Sequence, residues 1–467
     1  MNPPHRQLFA FPTTVVAAVV IALLATRSVA QEPEAAKPQP TLQELQRRVD
    51  EQGAMLKELI KQQQDQQAKP ATSGFEMKYD KGYVMRSTDA ANPFELRING
   101  RMQLRYTGFA PDTDSYQNRE TAATATPVDV TALDEIEIER GRLEFRGTWI
   151  DPRMHFYINL DADTDDGHVV IFHDFWFNYE FSKSFDLYAG KAFVPGSRDW
   201  LNGSTRTHFA DRSMATTYFR TDRTLGVWAI GQPLDGVWYR AMIGNGLSTS
   251  DLTPDQVNTK PAYSASVWFE PMAKYGSGYA DMEEHKDLAA QMGASYSYGQ
   301  QGGASASGAS IGESRFLRIS DGSRLTSLGV DAFDESLLAV DAAFKCRGWS
   351  LHGELFQRWL TDLTPLGTTV TSFPDGSVQD RGGYVEAGTF LVSKTLEPVV
   401  RYSTIHGKYK NSNEYAVGLN WYVDQTHNNK FTFDVTWLDG APVANSGAGY
   451  RVGDDGIGVR MQWQIAF

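Results

Sequence analysis

Three arginines in one short segment have the type and the spacing to carry small anions. Arg97, Arg101 and Arg105 recur at every fourth residue within a stretch where polar and apolar side chains alternate. In a β-strand, residues with this spacing share one face and stand roughly 13 Å apart along it. A guanidinium keeps its charge and offers parallel donors that match the oxygens of a phosphate. The spacing therefore predicts a row of weak sites along which an anion can pass.

The next predicted strand adds arginines to the same face. Arg142 and Arg146 lie on the side opposite the apolar residues of that strand. Ile136 and Ile138, in the first half of that strand, would share the face of these arginines if the alternation were unbroken. We therefore expect a β-bulge near Arg140, because one extra residue restores the alternation.

The last segment of the chain alternates in the same way. Residues 454–467 place Arg460 on the polar face, and in a sheet that closes on itself the last strand meets the first. We therefore expect Arg460 beside residues 94–107. The predicted solute path consists of Arg97, Arg101, Arg105, Arg142, Arg146 and Arg460. Charge balance is the other interpretation and stays open, because further inward positions carry carboxylates, at Asp161, Asp163, Asp341, Glu354, Glu397, Glu414 and Asp434.

Sixteen segments with the alternation of strands follow one another from residue 94 to residue 467. Their predicted bounds are 94–107, 135–150, 153–162, 169–181, 185–193, 223–231, 235–244, 261–270, 287–298, 336–345, 348–360, 381–393, 396–406, 413–423, 428–438 and 454–467. Long and short connections alternate for most of the chain, as in barrels with outer loops and periplasmic turns. The predicted fold is therefore all-β, a 16-stranded antiparallel transmembrane β-barrel preceded by a short N-terminal coiled-coil helix.

One long connection, residues 194–222, has the composition of a constriction. It carries Arg198, Arg206 and Arg212 together with several aromatic residues. A loop of this length either folds into the bore and narrows it or lies outside as a cap. Its length alone favours neither arrangement.

The N-terminal region is predicted to be a signal peptide followed by a stalk. Residues 1–30 combine a basic start, an apolar run too short to span a membrane as a helix, and a small-residue cleavage site. A linker at 31–40, a heptad helix at 41–69 and a second linker at 70–93 precede the barrel at 94–467. The heptad favours a self-associating, trimeric coiled coil, with a solitary helix or a spacer as the alternative.

The composition excludes several classes of function. The single cysteine, Cys346, rules out an intrachain disulfide and a cysteine-based metal cluster, and the net charge of −13 argues against nucleic acid as a partner. No serine-hydrolase or zinc-protease motif accompanies the histidines. The sequence therefore predicts no enzyme, no cofactor and no metal site.

Several short segments resemble the phosphate-selective porins O and P. The resemblance covers roughly residues 94–467 and is carried, in chain order, by 94–101, 189–195, 210–213, 223–226, 245–246, 340–343, 397–402 and 418–422. Members of that family are similar in being sixteen-stranded, trimeric outer-membrane channels whose third loop folds inward and whose arginines and lysines conduct anions. The resemblance implies that residues 194–222 fold inward, that phosphate and polyphosphate are solutes, and that the barrel-assembly machinery recognises Phe467.

The sequence thus predicts a trimeric, anion-preferring diffusion channel of the outer membrane. It contacts membrane lipid and small anions such as phosphate, and its coiled coil lies in the periplasm within reach of peptidoglycan. A general or sugar-permeable porin without anion selectivity stays open, as does a structural tether between outer membrane and cell wall. The long loops lack the dense lysine cluster of the family, since loop 108–134 has Arg119 as its single basic residue. This departure speaks against strong phosphate selectivity.

Overall fold

The computed structural model describes residues 41–67, 74–89, 91–112, 132–164, 169–249, 257–258, 260–302, 317–325, 328–365, 376–443, 449 and 451–467. The chain divides into two compact units, residues 1–72 and residues 73–467. The predicted signal peptide at 1–30 and the predicted linker at 31–40 lie outside the described residues.

The described part of the first unit is one helix, α1 (Leu42–Gln67). The helix begins with a capping box, in which the Glu44 N–H donates to Thr41 Oγ1 at 3.4 Å and the Thr41 N–H donates to Glu44 Oε2 at 3.3 Å. Val49 and Leu56, two predicted heptad positions, are 64% and 61% exposed in the single chain. Within the described residues, no helix has the length and apolar character needed to span a membrane.

The second unit contains eighteen antiparallel strands, and the last sixteen of them close into a barrel. Two short strands come first, β1 (Phe75–Tyr79) and β2 (Tyr83–Ser87). The barrel strands are β3 (Phe94–Pro111), β4 (Leu133–Trp149), β5 (Asp151–Asp161), β6 (Ile171–Ser182), β7 (Phe185–Phe193), β8 (Arg223–Leu234), β9 (Val237–Gly244), β10 (Ala262–Phe269), β11 (Ala289–Gly302), β12 (Val330–Cys346), β13 (Trp349–Pro365), β14 (Val378–Thr389), β15 (Leu396–Gly407), β16 (Asn411–Tyr422), β17 (Asn429–Asp439) and β18 (Gly456–Ala466). The predicted fold class and strand count are confirmed.

The barrel closes where β18 pairs with β3. In this pairing Arg460 lies opposite Thr107, and Gln462 lies opposite Arg105. Arg460 therefore occupies the place expected from the sequence, beside the first barrel strand.

The segment 70–93, expected to be a linker, contains the hairpin of β1 and β2. Its two strands pair from Phe75 opposite Ser87 to Tyr79 opposite Tyr83, and β2 also pairs with the first residues of β3. β18 ends before it reaches that part of β3, so the edge is available to β2. Strands of five residues give too little alternation to be distinguished from a linker in the sequence.

Side chains of the barrel alternate between an exposed outer face and a buried inner face. In β18, Ile457 is 50% exposed, whereas Arg460 is 2% exposed. On the outer face, the Phe431 ring lies between Trp421 and Trp463, with centroid distances of 5.5 and 5.3 Å. An apolar outer face with aromatic residues near the strand ends is the pattern of a barrel that contacts lipid.

The predicted β-bulge is at Glu139 on β4. Arg140 pairs with Gln103 and Ile138 pairs with Leu104, so Glu139 is the extra residue between the two pairs. The bulge turns the isoleucines of β4 outward. It also adds the buried Glu139 carboxylate to the inner face, 3.1 Å from Arg140 Nη2.

Candidate functional site

The connection between β7 and β8, residues 194–222, lies inside the barrel, and we call it the inner loop. It contains α2 (Arg198–Leu201), a 3-10 turn (Ser204–Arg206) and α3 (Met214–Tyr218). Phe209 and Met214 on this loop are fully buried. Sequence length alone favoured neither an inward nor an outward loop, and the contacts with the wall decide the position.

Two glutamates of the barrel wall hold the short helices of the inner loop. Ser197 Oγ donates to Glu354 Oε2 at 2.9 Å, and the Arg198 backbone N–H donates to Glu354 Oε1 at 2.8 Å. The Met214 N–H donates to Glu414 Oε2 at 2.5 Å. The first N–H groups of a helix have no partner within it, and these carboxylates of β13 and β16 supply one.

The middle of the inner loop is held by β17. The Ala210 N–H donates to Asp434 Oδ2 at 3.0 Å, and Lys430 Nζ donates to the Thr207 carbonyl at 2.9 Å. From the sequence, charge balance was the open alternative for such inward carboxylates, and the structure shows that Asp434, Glu354 and Glu414 also anchor the loop. The signal that could have found them is an inward acidic residue on each of several successive strands.

The connection between β10 and β11 also enters the lumen, from the end with short turns. Tyr279 on this connection is buried, and its hydroxyl donates to Asp199 Oδ1 on the inner loop at 2.9 Å. Lys345 Nζ donates to the Tyr275 carbonyl at 3.4 Å. This explains why the connection is longer than a turn between adjacent strands requires.

The six arginines of the predicted solute path fall into three levels. At the level of the inner loop, Arg105 is fully buried and lies 3.3 Å from Glu139 and 3.4 Å from Asp211. Arg460 Nε donates to Asp434 Oδ1 at 2.8 Å and is buried as well. Arg105 thus joins the wall to the inner loop, whereas Arg460 binds Asp434 of the wall, which itself accepts from Ala210 of the loop.

At the second level, Arg101 and Arg142 stand opposite each other on β3 and β4. Both line a cavity of about 710 Å³ between the inner loop and the wall formed by β3–β8. Arg142 lies 2.7 Å from Asp161, whereas the nearest approach of Arg101 to Glu144 is 3.8 Å. Arg101 is therefore the less tightly paired of the two.

At the third level, Arg97 and Arg146 stand opposite each other nearer the short turns. They line a second cavity of about 670 Å³. Glu144 and Tyr157 line both cavities, so the two spaces adjoin. We refer to these two neighbouring cavities on the β3–β8 side of the barrel as the passage.

The larger cavity is highly charged, with nearly equal numbers of basic and acidic side chains among the described residues. Its eight basic residues are Arg101, Arg140, Arg142, Lys191, Arg206, Arg212, Arg220 and Arg223. Its seven acidic residues are Glu139, Glu144, Asp161, Asp163, Asp174, Asp211 and Asp222. The local balance is therefore less acidic than that of the whole chain, whose net charge is −13.

Two of the three arginines predicted for the constriction hold the inner loop in place. Arg198 lies 3.4 Å from Asp341 on the wall. Arg212 Nη2 donates to the Asn202 carbonyl at 2.7 Å, and its guanidinium stacks over the Trp200 ring at 4.4 Å. Arg212 borders the larger cavity, but its donors are directed into the loop.

Arg206 and Arg220 are the inner-loop arginines that line the larger cavity without an ion pair to any described residue. The Arg220 guanidinium lies 5.8 Å from the Trp200 ring. The predicted constriction set contained Arg206 but left out Arg220. Nothing in the local sequence separates Arg220 from Arg198 and Arg212. The difference lies in tertiary contacts, with the wall for Arg198 and within the folded loop for Arg212.

Asp211, a buried carboxylate of the inner loop, has a pKa that is shifted by nearby arginines. Burial would raise the pKa of Asp211, but the charge of Arg140 and of other nearby arginines outweighs burial and lowers it. Asp211 is therefore held in its charged form by the arginines around it.

The chain is similar to several solved structures, among them a protein expressed in the outer membrane. OmpT of Vibrio cholerae is 11% identical, with 84% of this chain and 100% of that chain covered and a TM-score of 0.48. OprB of Pseudomonas putida is 8% identical, with 80% and 94% covered and a TM-score of 0.48. OmpF of Salmonella typhi is 13% identical, with 84% and 100% covered and a TM-score of 0.48. At this level of similarity they carry no argument about solutes or assembly, and no curated protein matches the chain.

A family model gives the identification. The model described as phosphate-selective porin O and P matches residues 97–467, from the first barrel strand to the last residue of the chain. The match includes the inner loop and the strands β3–β8 that line the passage. The chain therefore belongs to the phosphate-selective porin O and P family, and it is a channel of the outer membrane.

Proposed function

We propose that this channel is passive and prefers anions, with phosphate and polyphosphate among its solutes. The observation that carries the proposal is the pair Arg101 and Arg142, which face the larger cavity with Arg206 and Arg220 across from them. The Nε atoms of Arg101 and Arg142 are buried and have no hydrogen-bond partner among the described residues. Buried donors without partners cost free energy, and an anion with several oxygen atoms can lower that cost.

The passage offers an anion two successive pairs of arginines. Arg101 and Arg142 line the larger cavity, and Arg97 and Arg146 line the adjoining smaller one. At each level a nearby carboxylate competes for the guanidinium groups, as Glu144 does beside Arg101. Competition keeps each site weak, and weak successive sites allow a solute to enter and to leave.

The ion selectivity of the purified full-length channel tests the proposal. In a planar bilayer under a potassium chloride gradient, we expect a reversal potential that shows chloride to be more permeant than potassium. Replacing Arg101 and Arg142 together by glutamine should lower the chloride-to-potassium permeability ratio several-fold. Arg381→Gln is the matched control. Arg381 is exposed on β14 and lies on the outer face, whereas Glu386 of the same strand is buried on the inner face.

A channel that prefers potassium would overturn the proposal. So would a control variant that shifts the permeability ratio as far as the double variant does. Selectivity for phosphate is measured separately, as the decrease in chloride current when inorganic phosphate is added on one side. A decrease in the wild type that disappears in the double variant supports phosphate as a solute.

A general diffusion channel is the second candidate, and one observation favours it. The larger cavity has seven acidic residues against eight basic ones, so its mean charge is close to neutral. In such a channel, chloride and potassium would have similar permeabilities and phosphate would leave the chloride current unchanged. The two measurements above therefore separate the candidates.

We extend the proposal to a trimer whose stalk is α1. Val49 and Leu56 are apolar and exposed on the single helix, and a coiled coil would cover them. Deleting residues 41–67 should convert trimers into monomers in native mass spectrometry of the detergent-purified protein. Trimers that persist after the deletion would show that the barrel alone assembles. Contact of the stalk with peptidoglycan and recognition of Phe467 by the barrel-assembly machinery belong to the same proposal.

A further inference from the structure

A cluster of two histidines and one glutamate lies where the inner loop meets the barrel wall. His208 belongs to the inner loop, His352 to β13 and Glu386 to β14, and all three side chains are buried with their ligand atoms close together. We propose that this cluster binds a divalent transition-metal ion such as Zn²⁺, which ties the inner loop to the wall. The proposal is independent of the solute that the channel carries.

The distances from the two histidines to Glu386 fit an ion between the side chains, and all ligand atoms of the cluster lie within 4.8 Å of one another. His208 Nδ1 lies 3.4 Å from Glu386 Oε2, and His352 Nε2 lies 3.3 Å from the same oxygen. Neither nitrogen has a hydrogen-bond partner among the described residues, although both are buried. With zinc bonds of about 2.0–2.2 Å, neighbouring ligands of a tetrahedral site stand about 3.4 Å apart. The two observed separations match the edge of that tetrahedron.

Another acidic group with a histidine shows the hydrogen-bonded alternative in the same chain. His285 Nδ1 lies 2.5 Å from Asp281 Oδ1, and His285 Nε2 lies 2.9 Å from the Lys274 carbonyl. Both nitrogens of His285 therefore have partners within the protein. The cluster differs because His208 Nδ1 and His352 Nε2 both lie near Glu386 Oε2 but make no hydrogen bond to a described residue.

The surroundings of the cluster orient its ligands as in metal sites. His208 Nε2 lies 3.2 Å from Ser350 Oγ and 3.4 Å from Glu397 Oε1. Arg401 Nη1 donates to Glu386 Oε1 at 3.2 Å, which leaves Oε2 directed at the histidines. A carboxylate on the second nitrogen of a ligand histidine fixes the ring and increases its basicity.

The donor set selects the class of ion. Two imidazoles and one carboxylate suit Zn²⁺ and related transition metals, and they leave the fourth tetrahedral position to water or a further donor. Mg²⁺ prefers six oxygen ligands and does not fit. Because the ligands come from three segments that are far apart in the sequence, a bound ion fixes the inner loop on the side away from the passage.

Metal content of the full-length channel tests the proposal. The protein is refolded in detergent after chelator treatment, supplied with Zn²⁺ or with Mg²⁺, passed through a gel-filtration column and analysed by elemental mass spectrometry. We expect one zinc ion per chain and no stoichiometric magnesium. His352→Gln and Glu386→Gln should weaken zinc binding more than tenfold. His285→Gln is the matched control, because it alters a histidine whose nitrogens are already hydrogen-bonded, and it should retain zinc.

Two results would overturn the proposal. One is a wild-type protein that retains no zinc, and the other is a His352→Gln variant that retains as much as the wild type. Heat-modifiable migration on denaturing gels shows whether each variant has folded. If the variants do not fold, X-ray absorption of the zinc-loaded wild type decides, since two imidazole nitrogens at about 2.0–2.1 Å are expected and a shell of oxygens alone refutes the site.

Discussion

The two sides of the inner loop use arginine in opposite ways. Toward β15 and β16, Arg401 is buried, donates to the Asp211 carbonyl at 2.9 Å and lies 2.5 Å from Glu414. Toward β3–β8, Arg101 and Arg220 border an open cavity. The difference teaches that the role of a lumen arginine depends on whether an acceptor satisfies its donors, more than on its place along a strand.

The largest loss of stability is expected when Arg401, on the anchored side of the inner loop, is replaced. Replacing Arg401 by methionine leaves the carboxylates of Glu414 and Glu386 buried without their guanidinium partner. Breaking a buried ion pair from one side costs about 3–5 kcal/mol, and we expect a loss of this size in the free energy of unfolding in urea. Arg381→Met, on the exposed outer face, should leave the midpoint unchanged. Equal midpoints for the two variants would contradict the assignment of Arg401 to the anchored side.

Substitutions of Arg105 and Arg101, two arginines of β3, should give effects of intermediate size on stability and selectivity. Arg105→Gln removes charge-assisted hydrogen bonds from a fully buried group, and we expect a loss of about 1.5–3 kcal/mol in stability with the selectivity of any folded channel little changed. Arg101→Gln should show the reverse, with a small change in stability and a lower chloride-to-potassium permeability ratio. Unfolding midpoints and reversal potentials of both variants check this. If Arg105→Gln shifts selectivity as much as Arg101→Gln, the three levels do not differ in function.

The smallest change in stability is expected at Arg220. It lines the larger cavity without an ion pair to a described residue, so Arg220→Gln should alter the free energy of unfolding by less than about 1 kcal/mol. Single-channel chloride conductance should still fall, because a positive charge leaves the passage. An unchanged conductance would place Arg220 outside the route of the anions.

The sequence predicted the strands because their signal is local. An alternation with period two in one segment identifies a strand, and the pairing of Arg460 with Thr107 follows once the sheet is known to close. The functions of individual arginines depend on contacts between distant segments, such as Arg401 with Asp211. No local periodicity records that contact. The hairpin of β1 and β2 was missed for a different reason, since its alternation is too short to be recognised.

The seam, where β18 pairs with β3, closes the barrel through contacts between distant parts of the sequence. The Phe467 N–H donates to the Gly100 carbonyl at 2.9 Å, and the Gly100 N–H donates to the Phe467 carbonyl at 3.2 Å. A Cβ atom at Gly100 would stand 2.4 Å from the tip of the Phe467 ring, so in this arrangement the ring packs directly over a glycine. The seam thus joins Phe467 to the first barrel strand, and contacts this far apart in sequence form slowly. Until this pairing has formed, β3 and β18 have open edges that can pair with other chains. A chain truncated before β18 stays an open sheet and is prone to aggregate.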